Sequence, residues 1–383
     1  MKSSIWVLTA FIAVMTFVSC SKDDANFGSG DDQSLKSVTV SLANVEAQLN
    51  SRGAGGDAIQ DGDAVALTNF QIFFTDGKKL YVGKNTEGED ETHFYGDGNG
   101  VSAKTFHFLP AAVNRVIVIG NLRDDAADGI DVTEGMALSA IDQNLSIDDE
   151  QDQKTLTLYG ESTLTKIETD DDNGHSNPLY EAEVTLTPRI ARLEVAGFSC
   201  DFTDADAYSK FELLKLAFNN YYTEAGLLEG TVKGSPVKTA ITEKDVFNYF
   251  NGLKAGWDND DLGFTLEKPA VEPYKDEEDV NLAYHFFPVA GEVANAGENG
   301  YPQLILKADG SYESTITGQE DALFLATQVF NEGTTAIKKF EAGHIYRVSF
   351  EFKNTDFKQP DKCIEVTVEV ATWKVKSVTP GYN

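Results

Sequence analysis

Cysteine is scarce in this chain. Three in 383 residues, Cys20, Cys200 and Cys363, are too few for a disulfide-dense scaffold, and none stands with histidine at a zinc-ligand spacing. Cys200 and Cys363 could pair in an oxidising compartment or could be small buried residues, and the sequence leaves both readings open. The five histidines, at 93, 107, 175, 285 and 344, fall in no metal or catalytic-triad pattern. No G-x-S-x-G, H-E-x-x-H or P-loop occurs, and Gly96, Gly98 and Gly100 lie in the loop YGDGNG without the strand–helix context of a dinucleotide fingerprint. The sequence therefore gives catalysis no support, and neither a cofactor nor a metal is expected. Positive charge is also short. Against 62 acidic residues stand 31 basic ones, a net charge of −31 that repels phosphate backbones and anionic lipid heads and excludes nucleic acid as a natural partner. Such acidity suits a soluble, surface-exposed protein.

Long apolar runs are missing too. The longest, Ile5 to Val18, is shorter than the roughly 20 residues that cross a bilayer. It follows Lys2 and ends Phe17-Val18-Ser19-Cys20, a basic start, a short apolar core and a small residue before the cut, as in a secretory signal. A cysteine directly after that small residue resembles the lipobox of bacterial lipoproteins. On that resemblance residues 1–19 are a signal peptide and Cys20 is the lipidated, palmitate-bearing first residue of the exported chain. Ser21-Lys22-Asp23-Asp24 resembles the acidic tag of lipoproteins that reach the outer face of the outer membrane in Bacteroidetes. The polar, Gly/Ser-rich stretch 21–34 then reads as a tether.

Short runs of alternating apolar and polar residues, bounded by Gly, Asp and Asn, dominate the remainder. Val38, Val40 and Leu42 alternate with Thr39 and Ser41. Further strands are expected over 69–74, 105–108, 113–119, 155–159, 182–186, 189–196, 211–218, 281–287, 303–307, 322–327, 344–352 and 363–370. Many short strands of this kind predict an all-β protein of antiparallel sandwiches. One or two short helices are also expected: Thr242-Glu243-Lys244-Asp245 reads as a capping box ahead of Val246, Phe247, Phe250 and Leu253, with Gly256 as the stop. The acidic run Asp258–Gly263 has aspartates one apart but lacks a fifth-position ligand and has Pro269 at position twelve, so loop solvation outweighs calcium binding. The 168–174 run fits calcium no better.

Two features point toward assembly. Arg52, the first arginine, sits in Asn50-Ser51-Arg52-Gly53-Ala54-Gly55-Gly56 after the strand-like 35–49. A basic residue among small flexible ones is a substrate for a trypsin-like protease, although a harmless surface arginine has equal weight. At the other end Ile364, Val366, Val368 and Val370 share one face, and after Ala371 the apolar phase flips to Trp373 and Val375. A regular strand keeps its phase, so a bulge or break near Ala371-Thr372 is expected. The tail from Trp373 to Asn383 could fill another sheet's groove or complete its own domain. A strand removed by proteolysis and a spare strand at the tail would together permit strand donation, and a head-to-tail contact of that kind grows into a filament.

These residues resemble the fimbrillins, subunits of the type V pili of Bacteroidetes. Leu109-Pro110 followed by Arg115–Asn121 looks like the family's strand ending in Gly/Ala-Asn, and Leu158-Tyr159-Gly160 is similar to its M-x-G step. Pro188–Val195 resembles the basic, apolar strand late in its first domain. Ala342–Val348 is similar to its G-x-x-Y strand, and Glu369–Trp373 to its tail strand. The resemblance implies two tandem transthyretin-like antiparallel β-sandwich domains, with 20–52 as tether and propeptide strand, 53–196 as the first domain and 197–383 as the second. It implies cleavage between Arg52 and Gly53 and a C-terminal donor strand that includes Trp373, Val375 and Val378. It also implies a lipid-anchored precursor at the outer membrane that moves to an extracellular fimbrium and supports adhesion. Its partners would be other fimbrial subunits, a processing protease and a host or bacterial surface receptor. A shaft position is favoured over a tip. The alternative is a non-polymerising surface lipoprotein that binds glycans through exposed aromatics such as Tyr221, Tyr222 and Trp257; a secreted hydrolase has the least support.

Overall fold

The computed structural model describes residues 35–377 apart from 44, 48–63, 92, 97–102, 123–128, 153–154, 168–176, 202–207, 239–249, 251, 253–255, 268–270, 273–281, 294–297, 313–320, 354–362 and 373. Cys20, Arg52, Gly53, Trp373 and Val378 therefore lie outside the described residues. So does most of the expected helix, although Phe250 and Gly252 are helical. Apart from those two, the described residues form strands and connecting turns, with a 3-10 turn at Leu138–Ile141.

The first half forms two facing sheets. One has the order β11 (Thr165–Lys166), β12 (Leu179–Val184), β1 (Leu35–Leu42) and β7 (Ala103–Pro110). The other runs β13 (Thr187–Pro188), β10 (Leu158–Thr163), β8 (Arg115–Gly120), β4 (Phe70–Thr75) and β5 (Leu80–Tyr81), with β6 (Phe94–Tyr95) also paired to β4. All six residues of β4 are buried, as are Val116–Gly120 of β8, the near-continuous apolar reading of strands covered on both faces. Phe74 of β4 meets Phe106 of β7 edge-on at 4.9 Å across the sandwich, a favoured aromatic geometry. The sheets approach so closely at Gly160 that a Cβ there would strike the Thr185 carbonyl and lie 2.6 Å from Val184 Cγ1. Only glycine fits that step.

The second half is one large sheet. Its order is β18 (Asn259–Glu267), β15 (Tyr208–Asn219), β21 (Gln303–Tyr312), β22 (Asp321–Glu332), β25 (Cys363–Thr372), β24 (His344–Lys353), β14 (Ala191–Asp201) and β19 (Val271–Glu272). β20 (Ala283–Phe286) pairs with β14, and β23 (Thr335–Ala336) with β22. Phe218 of β15 stacks on Tyr284 of β20 at 5.3 Å, so the sheet curls until its two arms face each other around an aromatic core. Two small sheets complete the fold: β17 (Val232–Lys233), β16 (Glu224–Gly226) and β9 (Asn144–Ser146); and β2 (Val45–Ala47), β26 (Lys374–Ser377) and β3 (Ala64–Leu67).

The basic stretch Pro188–Val195 ties the halves together. The Arg189 guanidinium lies 3.6 Å over the Tyr159 ring and donates to the Leu227 and Leu228 carbonyls. Arg192 pairs with Glu194 at 3.1 Å and donates to His285 Nε2 at 3.3 Å. The other His285 nitrogen, Nδ1, donates to the Glu150 carbonyl at 2.6 Å. One proton per ring satisfies that arrangement, and burial with the nearby Arg192 cation pushes the His285 pKa down to about 3. The imidazole is neutral and structural.

Strand order also separates the two sulfur residues that could have paired. Cys200 stands opposite Phe352 of β24, while Cys363 opens β25 on the far side of β24. Two strand spacings, about 9.6 Å, exceed the Cα separation of a disulfide. The structure thus places Cys200 as a buried small side chain.

Candidate functional site: the groove of the first strand

Strand β1 has neighbours on both edges. It pairs in parallel with β12, Ser37 opposite Leu179 through Leu42 opposite Val184, and antiparallel with β7, Val38 opposite Phe106 and Thr39 opposite Thr105. One face carries Val38, fully buried, and Val40 at 3% exposure. The other is polar and matched to its surroundings: the Ser37 hydroxyl meets His107 Nδ1 at 2.9 Å, and the Thr39 and Thr105 hydroxyls meet at 2.8 Å. Lys36 is an unusual filler. It is 6% exposed, its ammonium donates to the Val113 carbonyl, and it lies 4.7 Å over the Tyr180 ring. Burial pulls its pKa below the ordinary lysine value. Taken out of this position, β1 would leave two bare ladder edges and an apolar slot about two strand spacings wide.

The C-terminal end shows the expected break. β25 ends at Thr372 inside the large sheet, between β22 and β24, and β26 belongs to a different sheet. Val375 stands opposite Val45 of β2 and Val65 of β3, and both pairings are parallel. The tail strand therefore lies folded back within its own chain. Its two neighbours are the segments that precede and follow residues 48–63, which contain Arg52. Among the proposed site residues, Val375 alone falls in a described element. The pairing of β26 with β2 and β3 was not foreseen, because nothing in three- and four-residue strands reveals their partners.

The other candidates resolve differently. The acidic run is not a loop: Asn259–Glu267 is a strand with a register shift opposite Leu213/Lys215. Its carboxylates are engaged, Asp258 by the Tyr221 hydroxyl and the Asn259 amide, Asp260 by the Tyr284 hydroxyl, and Asp261 by Lys215. Among the described residues, no group of three His, Cys, Asp or Glu side chains could hold a metal ion. Of the three aromatics offered for glycan binding, Tyr222 is half-buried and the other two are packed instead of displayed. Tyr221 is 6% exposed and stacks on Phe218 at 5.2 Å, while half-buried Trp257 meets it edge-on at 5.0 Å and donates to Asp148. The cleft beside Gln71, Phe94 and Ile130 holds His93, whose two nitrogens are occupied by the Ile72 carbonyl and the Gly83 amide.

No protein-family model and no curated protein matches the chain by sequence. Solved structures do match its fold. A fimbrillin from Porphyromonas gingivalis superposes with a TM-score of 0.53 at 12% identity, covering 90% of this chain and 99% of that one. A candidate cell adhesion protein from Bacteroides eggerthii does so with a TM-score of 0.50 at 14% identity, covering 92% and 100%. The chain has the fimbrillin fold. At such identity the two chains share few side chains, so the fimbrillin likeness speaks to architecture, and the use made of β1 and β26 must be argued from this chain's own residues.

Proposed function

We propose that the chain is a structural subunit of a surface fimbria, exported as a lipoprotein on Cys20, primed by cleavage after Arg52, and polymerised by strand exchange through its C-terminal strand. The observation that carries this reading is the position of β1. It is a central, core-filling strand joined to the rest of the sandwich through the segment that contains Arg52-Gly53. A cut there would leave β1 held only by its own ladders and side chains and by the short β2–β26 pairing, and its departure would open a slot shaped for another strand. Main-chain hydrogen bonds then give affinity, and the Val38 and Val40 sites give register. With β1 in place the slot is filled, so the precursor is monomeric.

The test is brief trypsin treatment of the purified precursor, followed by N-terminal sequencing and size-exclusion chromatography. The reading expects a new terminus at Gly53 and the appearance of ladders or filaments. Persistent monomer after complete cutting at Arg52 would refute strand exchange.

A further inference from the structure

The residues that fill the β1 slot recur at the other end of the chain. β1 begins Leu35-Lys36-Ser37-Val38-Thr39, and the tail reads Val375-Lys376-Ser377-Val378-Thr379. Four consecutive identities follow one conservative exchange. They coincide with the residues that make the specific contacts of the slot: Lys36 over Tyr180 and on the Val113 carbonyl, Ser37 on His107, Val38 in the core and Thr39 on Thr105. A nearly buried lysine is rare in such a groove, so its recurrence beside Ser-Val-Thr is not explained by alternation alone.

Resting on the reading of the preceding subsection, we propose that the slot vacated by β1 takes residues 375–379 of a second copy of this chain, in a single register, with Lys376, Ser377, Val378 and Thr379 at the places of Lys36, Ser37, Val38 and Thr39. Val378 then stands opposite Tyr180 of β12 and Phe106 of β7, and Thr379 opposite Glu181 and Thr105, as Val38 and Thr39 do now. A one-residue slip would turn Val378 out of the core and put a hydroxyl in its place, so the register is strongly fixed. The match stops at Pro380, at the place of Val40. Proline keeps an apolar ring there but offers no N–H, which suits the end of a ladder. In the uncut chain Lys376 and Ser377 are engaged opposite Glu46 and Ala47 of β2, so the tail can serve its own chain or a neighbour's slot, but not both at once.

The register can be read by cross-linking. Thr105→Cys and Thr379→Cys are introduced into separate full-length chains, which are mixed, cut with trypsin and oxidised; each variant alone is the control for the native cysteines. The proposal expects a disulfide-linked dimer that appears only after cutting and is several-fold more abundant than with Ser377→Cys in place of Thr379→Cys. It also expects Val378→Asp to abolish ladders while Arg52 is cut at the normal rate. Ladders that form without the 105–379 link, with a stronger 105–377 link, or undiminished in Val378→Asp would overturn the register and leave strand exchange standing. A link seen only when both cysteines share one chain would show that the tail fills its own slot, and would overturn the second copy as occupant. Absence of ladders from the cut, unsubstituted chain would refute strand exchange and this inference together.

Discussion

Val38→Ala is the sharpest test of whether β1 is a core strand or an appended one. Val38 is fully buried in the middle of β1, between Phe106 and Tyr180 on the neighbouring strands. The substitution deletes two methyl groups, worth about 0.8 kcal/mol each as lost burial. The closed site relaxes only partly, so the residual cavity raises the cost to about 2–3 kcal/mol. Thr39→Ala, one residue on but facing the other side, loses one hydroxyl pair with Thr105 in a half-buried place and should cost about 1 kcal/mol. Denaturant unfolding of the uncut chain, followed by far-UV circular dichroism, gives both values from the midpoint at unchanged slope. A Val38→Ala effect under about 0.5 kcal/mol, the level of an ordinary surface change, would refute the assignment of β1 to the core and, with it, the idea that a cut leaves an open slot.

Two further outcomes follow from contacts away from the slot. Gly160→Ala drives a methyl group against the Thr185 carbonyl and Val184 and should cost about 1–3 kcal/mol by overpacking; a neutral effect in the same denaturant assay would show that the two sheets can part there. His285, held neutral with its pKa lowered to about 3, binds a proton in the unfolded chain below about pH 6.5 but not in the folded one. Stability must therefore fall as pH is lowered from 6.5 toward 3, with a contribution from this residue approaching about 1.4 kcal/mol per pH unit. His285→Gln should flatten that slope, and an unchanged slope would mean that His285 does not titrate on unfolding.

Much of the strand content was legible because alternation survives wherever one face is buried: Val38 and Val40 in β1 and Val366 and Val368 in β25 are buried as their alternation indicates, and the break near Ala371-Thr372 falls where β25 ends. The expected strand at 155–159 begins later, at Leu158, for a local reason. The Thr157 N–H and hydroxyl both bind the buried Glu150 carboxylate, at 2.9 and 2.7 Å, which takes that backbone donor out of the ladder. The strand Asn259–Glu267 was hidden because aspartate and asparagine disfavour strands and because Gly263, at φ +64°, interrupts its pattern. What could not be read was partnership. Sequence gives the faces of β1 and β26 but not that one lies between β7 and β12 and the other between β2 and β3, since register over such distances is set by tertiary packing.

The pairing of β26 with β2 and β3 bears on the order in which the chain can fold. Val375 must find Val45 and Val65, and β1 must find β12 at Ser37 and Leu179. Contacts this remote in sequence are slow to close. The β2–β26–β3 sheet cannot form until residues 374–377 are available, so a chain broken off before Lys374 lacks it altogether. A late, long-range strand pairing is thus written into the fold, and chains truncated before Lys374 are marked by two short edges, at β2 and β3, that β26 would otherwise cover.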